Sequence, residues 1–592
     1  MGQILIQIFA LVVAFATASI PYDAPTSLSG SRYESKSHSD SSTSKIDVVA
    51  AATNIPTDGF LADSRYSTSS QEHEDKMNVL VSQCRFPKSF MGARKKKIVI
   101  KRSLSRSHCV RRHEYKADSI QLDLSSFTRL LRVEPLDHGE VVPEPLRNAY
   151  KKGELVATAE VEAMASMETL VDALLPLGLV PAVVPEFKGI TIGGSIQGLA
   201  AESSSFKYGF VHDCVAGFEA LLADGRRLWC SPSENRELFE AIPGSFGSLG
   251  ICTRARVLCM RAKPHVELTL RRHTTHQAAV DYMATLQDAA LSNGGATDVS
   301  YLEGLGFSQD FFATIEGRFV AEPSKGTPRR HCNGFGDKWF YNQVMDALSD
   351  VEPGDSADVR TLHYDTKSYL FRHDRGSFWM ASYRIPQIIA QYVMGSLLDS
   401  SNMFLLATAL PWAFPKHQIL LQDFMLPRNT VDLFFQKLQK LTPLYPVWLL
   451  PMRNIDTKGS IFTAPSPFNI AASTDAVFGT AEAGAGPGAD REEFSSLSRR
   501  RERERSPHLV NIGAYGIPRG SYDFESANRR LESLLSQHGG RKVFYSHAFY
   551  DDKTFYDELY DGERYFKLRE KYGAEGVLPE IFEKVVTKPG RL

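Results

Sequence analysis

Three glycine- and hydroxyl-rich segments carry the most legible chemistry in this chain. The first is Thr191-Ile192-Gly193-Gly194, with Ser195 and Gly198 just beyond and Pro185-Glu186 before it. Paired glycines let a backbone approach a ligand with no Cβ in the way, and their amides can point at phosphate oxygens. The second is Ser203-Ser204-Ser205-Phe206-Lys207-Tyr208-Gly209, preceded by Glu202 and followed by Asp213. Hydroxyls beside a lysine suit a diphosphate, although a plain polar loop has the same composition. The third is Gly244-Ser245-Phe246-Gly247-Ser248-Leu249-Gly250, followed by Ile251. Its order, helix then strand, is the reverse of the strand-to-helix dinucleotide fingerprint, so a nicotinamide-type Rossmann site is not expected.

The elements that must position these segments are readable. Leu155–Val161 has the composition of a strand, and Ser166 is placed to cap a helix whose first turn holds Glu168. Met167, Leu170, Val171, Leu174 and Leu175 recur at helical spacing, and Gly178 is a natural stop. Val180–Val184 then reads as a strand closed by Pro185. Phe218–Leu222, Asp224-Gly225 and Arg227–Cys230 form a hairpin pattern. Ser231-Pro232-Ser233-Glu234 reads as a capping box opening a helix that carries Leu238, Phe239 and Ile242. Ile251–Cys259 returns as a strand, and Thr430–Leu441 is a helix in the aromatic-rich second half. The fold class is α+β.

With 592 residues the chain exceeds what one core normally holds. Its net charge of -1, from 68 basic and 69 acidic residues, gives no reason to expect a nucleic-acid partner. Lys95-Lys96-Lys97, Arg102, Arg106, Arg111 and Arg112 surround the strand-like Ile98-Val99-Ile100; a solvated strand edge explains most of these charges. The 7 cysteines are scattered without a C-x-x-C pair, so neither a disulfide framework nor a metal site is expected. Ile4–Ala18 is apolar, ends in Ala-Thr-Ala and is shorter than a full span, which fits a cleaved signal or a short anchor. Residues 23–78 are largely rich in Ser, Thr and Asp and read as a disordered tether, and residues 459–507 as a disordered insertion that includes the block Arg499–Arg505.

The succession PE-x6-GG, SSSFKYG, Glu237-Leu238-Phe239-Glu240-Ala241 and the glycine triplet resembles the second half of the FAD-binding domain of vanillyl-alcohol-oxidase (PCMH-type) flavoproteins. Within them the nearer resemblance is to the Delta-24-sterol reductase, diminuto/dwarf-type family. It is carried by Asp123–Phe127, Val184–Leu199, Glu202–Gly209 and Leu222–Gly225, and beyond them by Tyr301–Gly304, Ala321–Lys325, His373–Trp379, Gln422-Asp423, Tyr445–Trp448, Ile512–Gly516 and Tyr560–Gly573. The chain departs from the pattern in two places. Between Arg94 and Arg112 there is no glycine-rich loop, and Leu136–Gly153 is extra.

The resemblance implies a two-subdomain FAD-binding domain over residues 79–262, then an α+β substrate-covering region over 263–592, after a signal or anchor at 1–22. It implies non-covalent FAD held by Thr191, Ile192, Gly193, Gly194, Ser195, Gly198, Glu202, Ser203, Ser205, Tyr208, Gly209, Asp213, Gly244, Gly247, Gly250 and Ile251. His108 and His113 are the histidines to weigh for a covalent link, with surface or core positions the commoner explanation. The implied activity is reduction of a sterol side-chain double bond, with NADPH as electron donor and a membrane-associated, endoplasmic-reticulum or other endomembrane setting. An isolated alkene has no carbonyl to polarise, so a proton donor must face the hydride donor. Glu303, His373, Asp423, Tyr515, Tyr545 and His547 are candidates, each with an ordinary structural alternative. Two other functions stay open. One is an oxidase of an alcohol or sugar, betrayed by peroxide release; the other is a non-catalytic membrane-associated protein keeping the flavin fold.

Overall fold

The computed structural model describes residues 64–84, 96–101, 114–136, 142–292, 297–334, 336–352, 359–383, 398–409, 419–455, 460, 508–518 and 522–587. The apolar leader, Cys109, His108, His113 and nearly all of 459–507 lie outside these residues.

Three sheets organise the chain. β1 (Ile98–Ile100) and β2 (Ile120–Leu122) form a small parallel pair. β3 (Leu130–Pro135), β4 (Leu155–Glu162), β5 (Leu179–Pro181), β6 (Val215–Leu221), β7 (Arg227–Cys230) and β8 (Ile251–Arg261) form an antiparallel sheet in the order β3-β4-β8-β6-β7, with β5 also on β8. β6 is buried along its whole length, its apolar and small residues interrupted only by Glu219, which is paired with Arg227. The third sheet is antiparallel and eight-stranded. It contains β9 (His265–His273), β10 (Tyr301–Ser308), β11 (Phe311–Val320), β12 (Arg360–Asp365), β13 (Leu420–Pro427), β14 (Val447–Arg453), β15 (His508–Gly516) and β16 (Arg541–Lys542), ordered β12-β9-β11-β10-β14-β15-β13-β16.

Most of the sequence-derived elements form. Ser166 caps the Met167–Leu174 helix, its hydroxyl accepting from Thr169 N at 3.1 Å, and Gly178 stops the following turn in left-handed backbone. The hairpin at Asp224-Gly225 joins β6 to β7, and the helix near 430 spans Val431–Leu441.

Four expectations are corrected. Val180–Val184 is a strand only through Pro181, where pairing with β8 ends. Ser231 does not cap the helix after it. Its hydroxyl accepts from Ser233 N at 3.3 Å and Glu234 N at 3.0 Å, closing a turn on the end of β7. The helix, Arg236–Ala241, is entered through Asn235, whose amide donates to Trp229 O at 2.7 Å.

The expected tether is ordered at its end, because Ser64–Cys84 is a helix. Its weak amphipathicity hides a narrow buried stripe, His73, Met77 and Leu80, at spacings of four and three. Met77 and Leu80 pack with Ile98, Leu122 and Phe127, while Lys76 and His73 donate to Glu162 at 2.8 Å. Finally, the substrate-covering region does not run to the C-terminus. Ala574 and Leu578 join the same small core as β1 and β2, Ile98 N donates to Val577 O at 2.8 Å, and Lys97 pairs with Glu583. A two-stranded sheet is marginal alone, and here both chain ends cover it.

Met77→Ala deletes a fully buried side chain and should cost about 2–5 kcal/mol of the helix's docking. Hydrogen exchange checks this: protection should fall in Ser64–Cys84 while the eight-stranded sheet keeps its own. His73 supplies a pH signature for the same helix. Burial lowers its pKa, but the bonds to Glu162 and Glu219 outweigh it, leaving the value raised above 6.5. A raised folded-state pKa stabilises fully below 6.5 and is lost as pH rises through the folded value. Exchange in the helix should therefore accelerate, beyond its intrinsic pH dependence, on going up through that interval.

Candidate functional site

A cavity of about 360 Å³ lies between the six-stranded and eight-stranded sheets. One wall is the Ile192–Gly198 helix and the backbone leading into it. Thr191 caps that helix, accepting from Gly194 N at 3.3 Å, and Ser195 Oγ donates back to Thr191 O at 2.9 Å. Gly193 N donates to Ala163 O at 2.8 Å, and a Cβ at Gly193 would lie 2.7 Å from the Ala163 Cβ. Only glycine permits that approach, so Gly193, Gly194 and Gly198 meet the cavity as bare backbone.

The facing wall comes from β13, β14 and β15. Strand alternation turns Leu421, Asp423 and Met425, then Trp448, Leu450 and Met452, toward the cavity. Asn511 and Tyr515 add to it from β15. Between them is Gly513, paired with both Asp423 and Trp448. A Cβ there would sit 2.5 Å from the Tyr515 hydroxyl, so the missing side chain is the space through which Tyr515 reaches Asp423, donating at 2.6 Å. Asn511 Nδ2 donates to the same oxygen at 2.8 Å, and Tyr545 also bonds Asp423. Burial pushes the Asp423 carboxyl up despite these donors. Glu186, just before the glycine wall, faces the same cavity. Burial first, with the charges of Glu202 and Asp423 adding to it, pushes its carboxyl to about 8.

Behind the wall lies a buried charge network. Arg372 donates from Nε to Glu303 at 2.7 Å and from Nη2 to Glu202 at 2.8 Å. His373 Nε2 lies 3.0 Å from Glu303, and Trp448 Nε1 donates to Glu303 at 2.8 Å. Burial would raise the Glu303 carboxyl, but Arg372 and His373 outweigh it and keep it ionised. Glu202 is driven up by burial, with the neighbouring charge of Glu303 adding to that. Burial lowers His373 to about 4, so its ring is neutral. Glu202, Glu303 and His373 are close enough to hold a cation, but the guanidinium already supplies the positive charge there. His373 stacks on Phe378 at 4.2 Å, and Phe378 and Trp448 are themselves cavity walls.

The sequence-derived residues therefore separate. Thr191, Gly193, Gly194, Ser195 and Gly198 line the cavity. Ile192 is core, and Glu202 and Ser203 belong to the arginine network. Ser205 Oγ accepts from Glu202 N at 2.9 Å. Tyr208 donates to Glu154 at 3.0 Å. Gly209 and Asp213 make a tight turn in which Asp213 accepts from Phe210 N. Gly244 O accepts from Tyr560 at 2.9 Å, Gly250 O from Gln197 at 2.9 Å, and Ile251 joins the small core of β1 and β2. Gly247, at φ +74°, stands beside Lys584 and Gln197, which do line the cavity. Of the proton-donor candidates, Asp423, Tyr515 and Tyr545 face the cavity. Glu303 and His373 are spent in the network, and His547 lies against Phe524 and Thr587.

Glu186 and Lys584 are among the cavity residues that carried no functional assignment in the sequence. Glu186 stood in the Pro-Glu pair before the glycines, where nothing local marks its place in the cavity wall. Lys584, in the tail, is 8% exposed with its ammonium 5.5 Å from the Tyr115 ring. No periodicity signals that a lysine so far along the chain returns to this wall.

The sequence profile of the FAD binding domain matches residues 93–231. In the solved structures, a VAO-type flavoprotein from Myceliophthora thermophila superposes with a TM-score of 0.51, covering 87% of this chain and 78% of its own at 13% identity. The chain thus has the VAO/PCMH-type FAD-binding fold of an oxidoreductase. It is a homologue of the Delta(24)-sterol reductases: 29% identical to the mouse protein over 436 residues (72% of this chain, 73% of that one). Identity is 25% to the Arabidopsis thaliana protein over 474 residues, 77% of each. Cytokinin dehydrogenase 3 of rice matches over 119 residues at 34% identity, 20% of this chain and 23% of that one.

The cavity suits FAD. Its bare glycine wall accepts a flat ring in contact with backbone, and Lys584 brings a cation to a group with an anionic linker. Lys584→Gln should weaken FAD binding by about tenfold, the scale of one charged hydrogen bond. Titration of apoprotein by flavin fluorescence reads this out.

Proposed function

We propose that the protein is an FAD-dependent reductase of a sterol side-chain double bond. The observation that carries this is the composition of the cavity: apolar walls, a glycine-backbone face, and acids and tyrosines lining the rest. Leu421, Met425, Trp448, Leu450 and Met452 give a substrate surface with few groups to hydrogen-bond, as a hydrocarbon side chain requires. The relatives at 25–29% identity are named for reduction of such a bond.

Thr191, Gly193, Gly194, Ser195 and Gly198 would hold the flavin from one side, with Lys584 and Gln197 near its polar part. We also assign flavin contact to the backbone of Gly247. Ile192, Glu202, Ser203, Ser205, Tyr208, Gly209, Asp213, Gly244, Gly250 and Ile251 support that wall from behind. Reduced flavin supplies a hydride when bound. The protein's share is to exclude water, press the alkene against the flavin face and present a proton on the other side. Phe378 and Trp448, fixed by His373 and Glu303, shape the wall that does the pressing.

Net reduction of an alkene consumes two electrons, which a reduced nicotinamide, NADPH, would deliver. An endomembrane setting, with the body in a reducing compartment, accords with a water-insoluble substrate. It also accords with Cys84, Cys214, Cys230, Cys252, Cys259 and Cys332 being unbridged. Among the described residues no helix is long and apolar enough to cross a membrane.

The purified protein should show a flavin spectrum that NADPH bleaches anaerobically and that a sterol side-chain alkene restores. Recovery only on admitting oxygen, with peroxide formed, would instead identify an oxidase. Absence of flavin after FAD is supplied would leave the fold without redox chemistry.

A further inference from the structure

We propose that Glu186 is the catalytic acid, delivering the proton to the alkene carbon, with Asp423, Tyr515 and Tyr545 beside it on the cavity wall. This rests on the reductase reading and names the group that completes it.

Several carboxyls stand near the cavity, and their surroundings tell them apart. Glu303 is ionised and turned away, with Arg372, His373 and Trp448 on its oxygens. Glu202 is bonded to Arg372 and Ser203, and does not reach the cavity surface. Asp423 faces the cavity, but its carboxyl is occupied in accepting from Tyr515, Asn511 and Tyr545. Glu186 lines the cavity with its carboxyl near Asp423, Tyr515 and Tyr545 of the wall facing the glycines, and it accepts from its own backbone amide. It is the acid able to point a proton into the cavity.

Glu202 and Asp423 disfavour ionisation of Glu186, Arg372 favours it, and the Tyr515 and Tyr545 hydroxyls are un-ionised. With a carboxyl at about 8, Glu186 is protonated at neutral pH.

The step balances. The Glu186 O–H bond breaks and a C–H bond forms at one alkene carbon. The second C–H bond would take the hydride, and with it the two electrons, that bound reduced flavin supplies, and the π bond is consumed. Glu186 regains its proton from solvent. NADPH restores the two electrons.

The test follows anaerobic reoxidation of NADPH-reduced holoenzyme by a sterol side-chain alkene, from pH 6 to about 9.5, spanning the expected limb. For the wild type, the rate should fall as pH rises through about 8, since deprotonation removes the acid. Glu186→Gln should bind FAD and be bleached by NADPH as the wild type is. Its reoxidation by the alkene should be slower by roughly 100-fold or more, with no limb near 8. Glu186→Asp, which keeps a carboxyl, should recover part of the rate and a displaced limb. A Gln variant with wild-type reoxidation, or a wild-type profile flat through pH 8, overturns the assignment of Glu186 alone. A wild type that the alkene does not reoxidise at any pH overturns the reductase reading, and this assignment with it.

Discussion

The buried guanidinium of Arg372 is the constraint to which the rest of the site is fitted. A charge removed from water costs several kcal/mol unless it is paired and its donors are used. Arg372 meets this with Glu202 from the flavin half and Glu303 from β10, and its plane lies 4.2 Å from the Tyr369 ring. Breaking either contact would strand a charge in the interior, so the three segments are held in one arrangement. Glu303 passes that rigidity on. Its second oxygen takes the Trp448 indole and the His373 ring, and those rings position Phe378. The cavity wall is thus set by electrostatics on its dry side. Backbone strain adds to it: Gly376, Ser377 and Phe378 all have positive φ, an arrangement that only a firmly bonded surround maintains.

Missing side chains set the cavity as much as present ones do. Gly193 lets a helix lie on Ala163 and leaves backbone as the cavity surface. Gly513 opens a slot through which a tyrosine two residues along reaches an aspartate on the next strand. The first gap bares backbone to the cavity; the second admits the Tyr515–Asp423 hydrogen bond. Between these gaps the walls are mostly apolar, so each polar group left there is conspicuous and each carboxyl feels its neighbours strongly.

The small parallel sheet shows the same economy by another route. Two strands bury too little to stand alone, and the chain covers them with its Ser64–Cys84 helix on one side and its tail on the other. Docking the tail also brings Lys584 to the cavity. Closure of the flavin half and completion of its charge complement are consequences of one packing event.

By itself the sequence determined what short-range spacing can encode. The βαβ rhythm from Leu155, the Ser166 cap, the hairpin at Asp224-Gly225 and the glycine wall at Thr191–Gly194 each depend on residues a few positions apart. The succession of motifs also sufficed for the flavin-binding fold and the sterol-reductase kinship. Tertiary structure decided what depends on distant partners. Ser231 lost its cap role to a turn that the end of β7 holds in place, and an apparently featureless serine-rich stretch became a helix because three of its residues found a core. Glu303 read as a proton-donor candidate and is instead the counter-ion of Arg372, and His373 is a neutral ring bonded to it. Glu186 and Lys584 read as unremarkable and proved to face the cavity. Protonation state is the extreme case, because a carboxyl's affinity for its proton is set by burial and by charges from other elements, and no local pattern records either.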